Sequence, residues 1–172
     1  MATVRERVHD HVEANPGVHF TAVREDLDIA TGQAQYHLRK LDRAGDIVAE
    51  EIQGRTHYYD RSYDPWERRV LAFVRRETAR ALLAHLAEDG PLGAADLTDR
   101  LEMSRSTVAW HVSSLVEAGV VEKSYGERGR VVVELVRPDD TRRLLDDVTP
   151  SLADRLVDRF TRLVDEGLAD SG

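Results

Sequence analysis

Apolar residues recur every four positions at the start of the chain, at Val4, Val8 and Val12. Four residues is just over one helical turn, so this spacing predicts an amphipathic helix. Asn15-Pro16-Gly17 ends it. A short second helix carries Val23 and Leu27, followed by a turn through Asp28-Ile29-Ala30. A third helix is expected with Thr31 as its N-cap, running through AQYHLRKLDRA to Gly45, a residue suited to a helix C-terminus. The period then shortens. Residues 47–52 and 56–59 read as two strands around Gln53-Gly54, a hairpin signal.

The whole pattern returns 74 residues later. His11 falls on His85, Leu27 on Leu101, His37 on His111, Leu41 on Leu115 and Ala44-Gly45 on Ala118-Gly119. Apolar positions keep their character, as in Val8 and Leu82, Val23 and Leu97, or Leu38 and Val112. One inserted residue then brings Gly54-Arg55 onto Gly129-Arg130. The second copy therefore predicts helices around 79–88 and 94–101, a Ser104-capped helix through Trp110 to Ala118, and strands at 120–125 and 130–136 flanking a turn at 126–129. Stacked solenoids need at least three repeats, so two copies are better read as two compact domains. The expected class is mainly α with small β-hairpin wings. The domains are expected at 1–62 and 78–137, joined by a helical connector at 63–77 and followed by amphipathic helices at 138–172.

Helix, helix, turn, helix, hairpin is the order of a winged helix-turn-helix. The segments AQYHLRKLDRAG at 34–45 and VAWHVSSLVEAG at 108–119 resemble recognition helices of ArsR/MarR-like winged-helix regulators. Across about residues 3–137 the chain resembles the tandem winged-helix transcriptional regulators of haloarchaea. That resemblance implies double-stranded DNA as partner, with the third helix in the major groove and the wing on flanking backbone.

Composition narrows the reading. With 24 Lys+Arg against 32 Asp+Glu the formal net charge is −8, and only Lys40 and Lys123 are lysines. Lysine depletion with acidic excess matches proteins of salt-accumulating halophiles, although a GC-rich genome also favours arginine. Acidity spread over a whole surface says little about partners, so it does not exclude DNA. There is no cysteine, which removes disulfides, thiolate metal sites and thiol nucleophiles together. No phosphate-binding glycine loop, nucleophile elbow or H-E-x-x-H motif occurs, so an enzyme is not expected. No cofactor is expected either. His9 and His11 lie two apart, on different helix faces, and do not form a metal pair. The N-terminus, MATVRERVHD, is charged where a signal peptide is apolar, and a cytoplasmic protein is expected.

On a helical wheel, Ala34, Leu38 and Leu41 point inward. Thr31, Gln33, Gln35, Tyr36, Arg39, Lys40 and Arg43 form the candidate DNA-binding set of the first copy. Amides pair with adenine edges, and cations with guanine or phosphate. In the second copy the equivalent face is Arg105, Ser106, Thr107, Trp110, Ser113 and Ser114. The wings add Arg55, Arg128 and Arg130, since arginine suits both phosphate and a narrow minor groove. His37 and His111 sit at the core boundary, where a backbone hydrogen bond, a phosphate contact and a metal or pH role are all open.

Trp66, Val70, Phe73 and Val74 form a stripe along the connector, pointing to a stiff helical link packed on a module or a second subunit. Pro138 begins a helix with Leu144, Leu145 and Val148; a further stripe holds Leu152, Leu156, Phe160 and Leu163. A homodimer through the C-terminal and connector helices is expected. The competing reading is a protein–protein adaptor. Tandem winged-helix chains also bind other subunits, but then show aliphatic or mixed-charge residues on the third helix. The Gln, Tyr, Arg and Lys of the first copy favour DNA.

Overall fold

A computed structural model of the protein describes residues 1–148, together with 159–160, 163–164 and 167–168. The chain divides into two compact units, with the boundary between Arg68 and Arg69.

In the first unit, α1 (Val4–Ala14) begins with a reciprocal cap: Glu6 N–H donates to Thr3 Oγ1 and Thr3 N–H donates to Glu6. It is followed by β1 (Val18–His19), α2 (Phe20–Asp26), α3 (Thr31–Ala44), β2 (Ile47–Ile52) and β3 (Arg55–Asp60). The core holds Val8, Val12, Val23, Ala34, Leu38 and Leu41 of the predicted apolar positions together with Ile47 of β2, while Val4 and Leu27 are partly buried against it. At about 25 cal/mol per Å² of apolar surface, such a cluster supplies the main drive to fold. Gly45 closes α3 at φ 77°, and Asp46 N–H returns to Leu41 O at 3.0 Å, satisfying a terminal carbonyl. Gln53 and Gly54, both at positive φ, turn β2 into β3, as a two-residue hairpin loop requires.

Two details differ from the sequence reading. Thr31 is the first helical residue and Ala30 the cap; no side chain caps there, and Ala30 N–H instead donates to Gln33 Oε1 at 3.2 Å. The sheet has three strands, ordered β1-β3-β2, because Val18 and His19 pair antiparallel with Tyr58 and His57. Two residues are too few to show an alternating pattern.

The helix α4 (Pro65–Val74) contains the boundary between the units. Asp64 and Glu67 cap it reciprocally at 2.9 Å each way. Arg68 Nε reaches Glu50 at 2.5 Å, and Arg68 O accepts from the Tyr59 hydroxyl at 2.6 Å. These contacts tie its first turn to the first unit's sheet. The helix ends at Val74, and α5 (Glu77–Asp89) starts after an extended Arg76 (φ −95°, ψ 126°). The expected continuous stiff connector is therefore interrupted at Arg75-Arg76. Trp66, Val70, Phe73 and Val74 are already buried in the single chain, so their stripe is not an open face for a second subunit.

The second unit repeats the order with α5, β4 (Leu92–Gly93), α6 (Ala94–Leu101), α7 (Arg105–Glu117), β5 (Val121–Tyr125) and β6 (Val131–Leu135). Its sheet runs β4-β6-β5. The final described element with its own core contacts is α8 (Pro138–Asp147), starting at the expected proline. Leu144, Leu145 and Val148 are buried. Arg80 of α5 donates to Val148 O at 2.5 Å and Leu145 O at 2.8 Å, and Arg142 donates to Ala87 O at 3.0 Å. Helix α8 thus packs on α5 as part of the second unit. Of the later stripe, Leu152 and Leu156 lie outside the described residues, whereas Phe160 and Leu163 are helical and exposed.

Candidate nucleic-acid interface

In the first unit α3 buries Ala34, Leu38 and Leu41, which turns Gln33, Gln35, Tyr36, Arg39, Lys40 and Arg43 outward. Thr31 is exposed at the first turn. The side chains are not equally free to read bases. Gln33 Oε1 accepts from Ala30 N–H, so this side chain serves the helix start as well as the surface. Lys40 Nζ sits over the Tyr36 ring, 4.9 Å from its centroid, a cation–π contact that holds the two together. Tyr36 also meets the His37 ring edge-on at 5.1 Å. His37 itself is half-buried, and its Nδ1 has no hydrogen-bonding partner among the described residues, so the backbone bond weighed for it is not made at that atom.

Gln35 and Arg39 face Arg55 and Thr56 of β3 across a cleft of about 460 Å³. Phe20, Thr21, Leu38, Asp42, Ala49 and Tyr58 also line it. Asp42 accepts from Ala49 N–H at 3.3 Å, fastening the end of α3 to the wing. Burial pushes the Tyr58 phenol above its ordinary pKa; Asp42 adds to this and Arg39 opposes it. The phenol therefore stays a hydrogen-bond donor throughout the neutral range. Asp42, Thr21, Thr56 and Tyr58 were not among the residues chosen from the sequence. The period of two along β3 contained part of the signal: it puts His57 and Tyr59 in the core and leaves Thr56 and Tyr58 on the other face.

The buried face of that strand is itself polar. His57 Nδ1 lies 2.7 Å from Gly17 O, and His19 Nδ1 accepts from Ala22 N–H at the start of α2. The paired rings, 6.4 Å apart, secure β1 and α2 beneath the cleft. On α1, His11 Nε2 pairs with Asp26 at 3.3 Å. His9, Asp10 and Glu13 bring ligand-type atoms within 4.8 Å of one another at the surface.

The second unit builds the same elements with different chemistry. Ser104 Oγ accepts from Thr107 N–H at 3.2 Å, as the sequence predicts. Thr107 is half-buried and its hydroxyl lies 2.8 Å from Ser104 Oγ, so it belongs to the cap more than to an outer face. Ser114, expected outward, is buried and donates to Trp110 O at 3.1 Å. Arg105, Ser106, Trp110 and Ser113 are exposed. On the hairpin Arg128 and Arg130 are exposed as well, Arg128 at φ 60° within a turn of 3₁₀ type (Glu127–Gly129). The structure does not gather the second copy's cations onto its third helix: Arg105 is the single arginine or lysine of α7.

Two family models match the chain in succession. A model described as an N-terminal HTH domain matches residues 2–71, and one described as a helix-turn-helix domain matches residues 76–124. An uncharacterized HTH-type transcriptional regulator of Methanocaldococcus jannaschii is 25% identical over 128 residues, 74% of this chain and 32% of that protein. The chain thus spans about a third of that relative's length. A crystal structure of a Corynebacterium diphtheriae protein aligns at 22% identity with a TM-score of 0.32, covering 77% of this chain and 26% of that one. The chain thus carries two helix-turn-helix domains in succession and is similar to a protein named as an HTH-type transcriptional regulator.

Proposed function

We propose that the chain is a sequence-specific DNA-binding transcriptional regulator whose base reading is done by the first domain. The observation that carries this reading is the joint exposure of Gln35, Tyr36, Arg39, Lys40 and Arg43 on α3 beside Arg55 of the wing. Gln35 and Arg39 supply the amide and guanidinium that match adenine and guanine edges in the major groove. Arg43, Arg55 and the second wing's Arg128 and Arg130 suit phosphate or the minor groove. Regulators of this architecture place α3 in the groove and the wing on flanking backbone. The acidic remainder of the surface fits a protein working in concentrated salt, where long-range repulsion from DNA is screened. Selection of binding sequences from random duplex DNA tests the reading. An enriched motif that loses definition at one base position in Arg39→Ala supports it; recovery of no motif defeats it.

A further inference from the structure

We propose that Gly32 and Tyr36 form a notch on α3 that receives the C5-methyl group of a thymine in the major groove. This rests on the reading of the first domain as the base-reading one and gives that face a specific base. The starting point is a glycine that the fold does not need. Gly32 is the second residue of α3 and is exposed. It is helical and has no positive φ, unlike Gly45, which closes the same helix at φ 77°. A Cβ at Gly32 would meet nothing within 4 Å among the described residues. Glycine is the poorest helix former after proline, because it loses the most backbone freedom on folding. Neither conformation nor packing within the chain accounts for it. Close approach of another molecule to the backbone does.

Its place on the helix says which molecule. Burial of Ala34, Leu38 and Leu41 sets the inward direction of α3. At about 100° per residue, Gly32, Tyr36 and Arg43 lie within about 30° of the line directly opposite. Gly32 is therefore at the centre of the face that carries Arg39 and Lys40, one turn before Tyr36. The Cα–Cβ bond of Tyr36 tilts toward Gly32, as in any helix, yet the ring leaves the glycine open. Lys40 Nζ over the ring at 4.9 Å and His37 edge-on at 5.1 Å hold it in place. The result is a hollow with a bare backbone floor and an aromatic wall that is 54% exposed. Of the groups that base pairs present in the major groove, the thymine methyl is the apolar one; the rest donate or accept hydrogen bonds. A methyl fits such a hollow, whereas a polar edge would lose its partners there.

The second copy is an internal comparison. Seventy-four residues on, the outward line reads Ser106, Trp110 and Glu117. The aromatic ring and its histidine remain, with Trp110 and His111 4.9 Å apart. The bare floor does not: Ser106 puts a hydroxymethyl group there, and an acid replaces Arg43. The open glycine thus belongs to the copy whose third helix carries the cations.

The test uses the full chain and the duplex it selects from random DNA, with each thymine replaced in turn by deoxyuridine, which removes the methyl alone. By fluorescence anisotropy, one such replacement should weaken binding of the native chain about fourfold, the worth of one buried methyl. In Gly32→Ala and in Tyr36→Ala the same replacement should change nothing. Gly32→Ala should also weaken binding to the thymine duplex about tenfold, while raising the melting temperature by about 2–4 °C, because alanine is the better helix former. The opposite signs separate a surface kept open for DNA from a glycine that the fold requires. The inference is overturned by a Gly32→Ala variant that melts lower than the native chain or binds as tightly. It is equally overturned if no deoxyuridine replacement matters, or if the effect survives in both variants. A chain that selects no motif defeats the proposed function and this inference together; a motif without methyl sensitivity defeats this inference alone.

Discussion

The two domains share a backbone plan and diverge on the surface that matters most. In α3 the outward residues are amides, an aromatic ring and three cations; in α7 they are small or apolar residues with one charge at each end. The inward residues hardly differ, with Leu38 and Leu41 facing the core in one and Val112 and Leu115 in the other. A core tolerates few changes because it is close-packed, so duplicated domains keep their inner stripe. The outer face is solvated, where substitutions cost little stability and partners can diverge. A helix in the third position of this fold is common to both domains; the outward residue types are what set the two apart.

The largest test of this contrast is at the cores. Leu41→Ala and Leu115→Ala should each cost about 2–5 kcal/mol by leaving a cavity, measured by urea unfolding. Leu41→Ala should also abolish selective DNA binding, whereas Leu115→Ala should leave the selected motif unchanged. If both remove selectivity equally, the domains are not divided as argued.

At the surface, Arg39→Ala should cost about 1–3 kcal/mol on the selected duplex and relax one base position. Arg105→Ala should leave the ratio of specific to random binding unchanged, by fluorescence anisotropy on the two duplexes. Equal loss of selectivity from both would erase the distinction between α3 and α7.

A smaller effect concerns the helix starts. Ala30 and Ser104 have nearly the same backbone, φ −66°, ψ 151° and φ −66°, ψ 153°, but only Ser104 caps. Ala30→Ser should complete the cap of α3 and raise stability by about 0.5–2 kcal/mol, and Ser104→Ala should lower it by a similar amount. Thermal melting checks both; no gain from Ala30→Ser would mean that the Gln33 contact already does the work of the cap.

The finest distinction lies in salt. With a net charge of −8, selective binding through the first domain should persist from about 0.2 to 2 M KCl with a shallow slope, because screening removes repulsion as well as attraction. A steep loss with the protein still folded would show that ordinary phosphate electrostatics dominate.

The periodicity of Val4, Val8 and Val12, the Gly45 terminator, the Gln53-Gly54 turn and the 74-residue repeat are all local patterns. Each follows from the spacing of side chains along one element, so helices, hairpins and domain number were legible in the chain. The outward position of Gln35 and Arg39 was legible for the same reason: a helix that buries Leu38 and Leu41 has no choice about its other face. The tertiary structure decided what depends on neighbours distant in sequence. Asp42 and Tyr58 came to the cleft because the sheet folds back onto α3, and β1 exists because β3 offers two residues something to pair with. Arg80 of α5 is committed to carbonyls at the end of α8, 65 and 68 residues away. Composition counts a guanidinium as a charge; only its surroundings decide whether it faces DNA or fastens a helix end, since a terminal carbonyl buried without a donor costs more than the side chain gains in water.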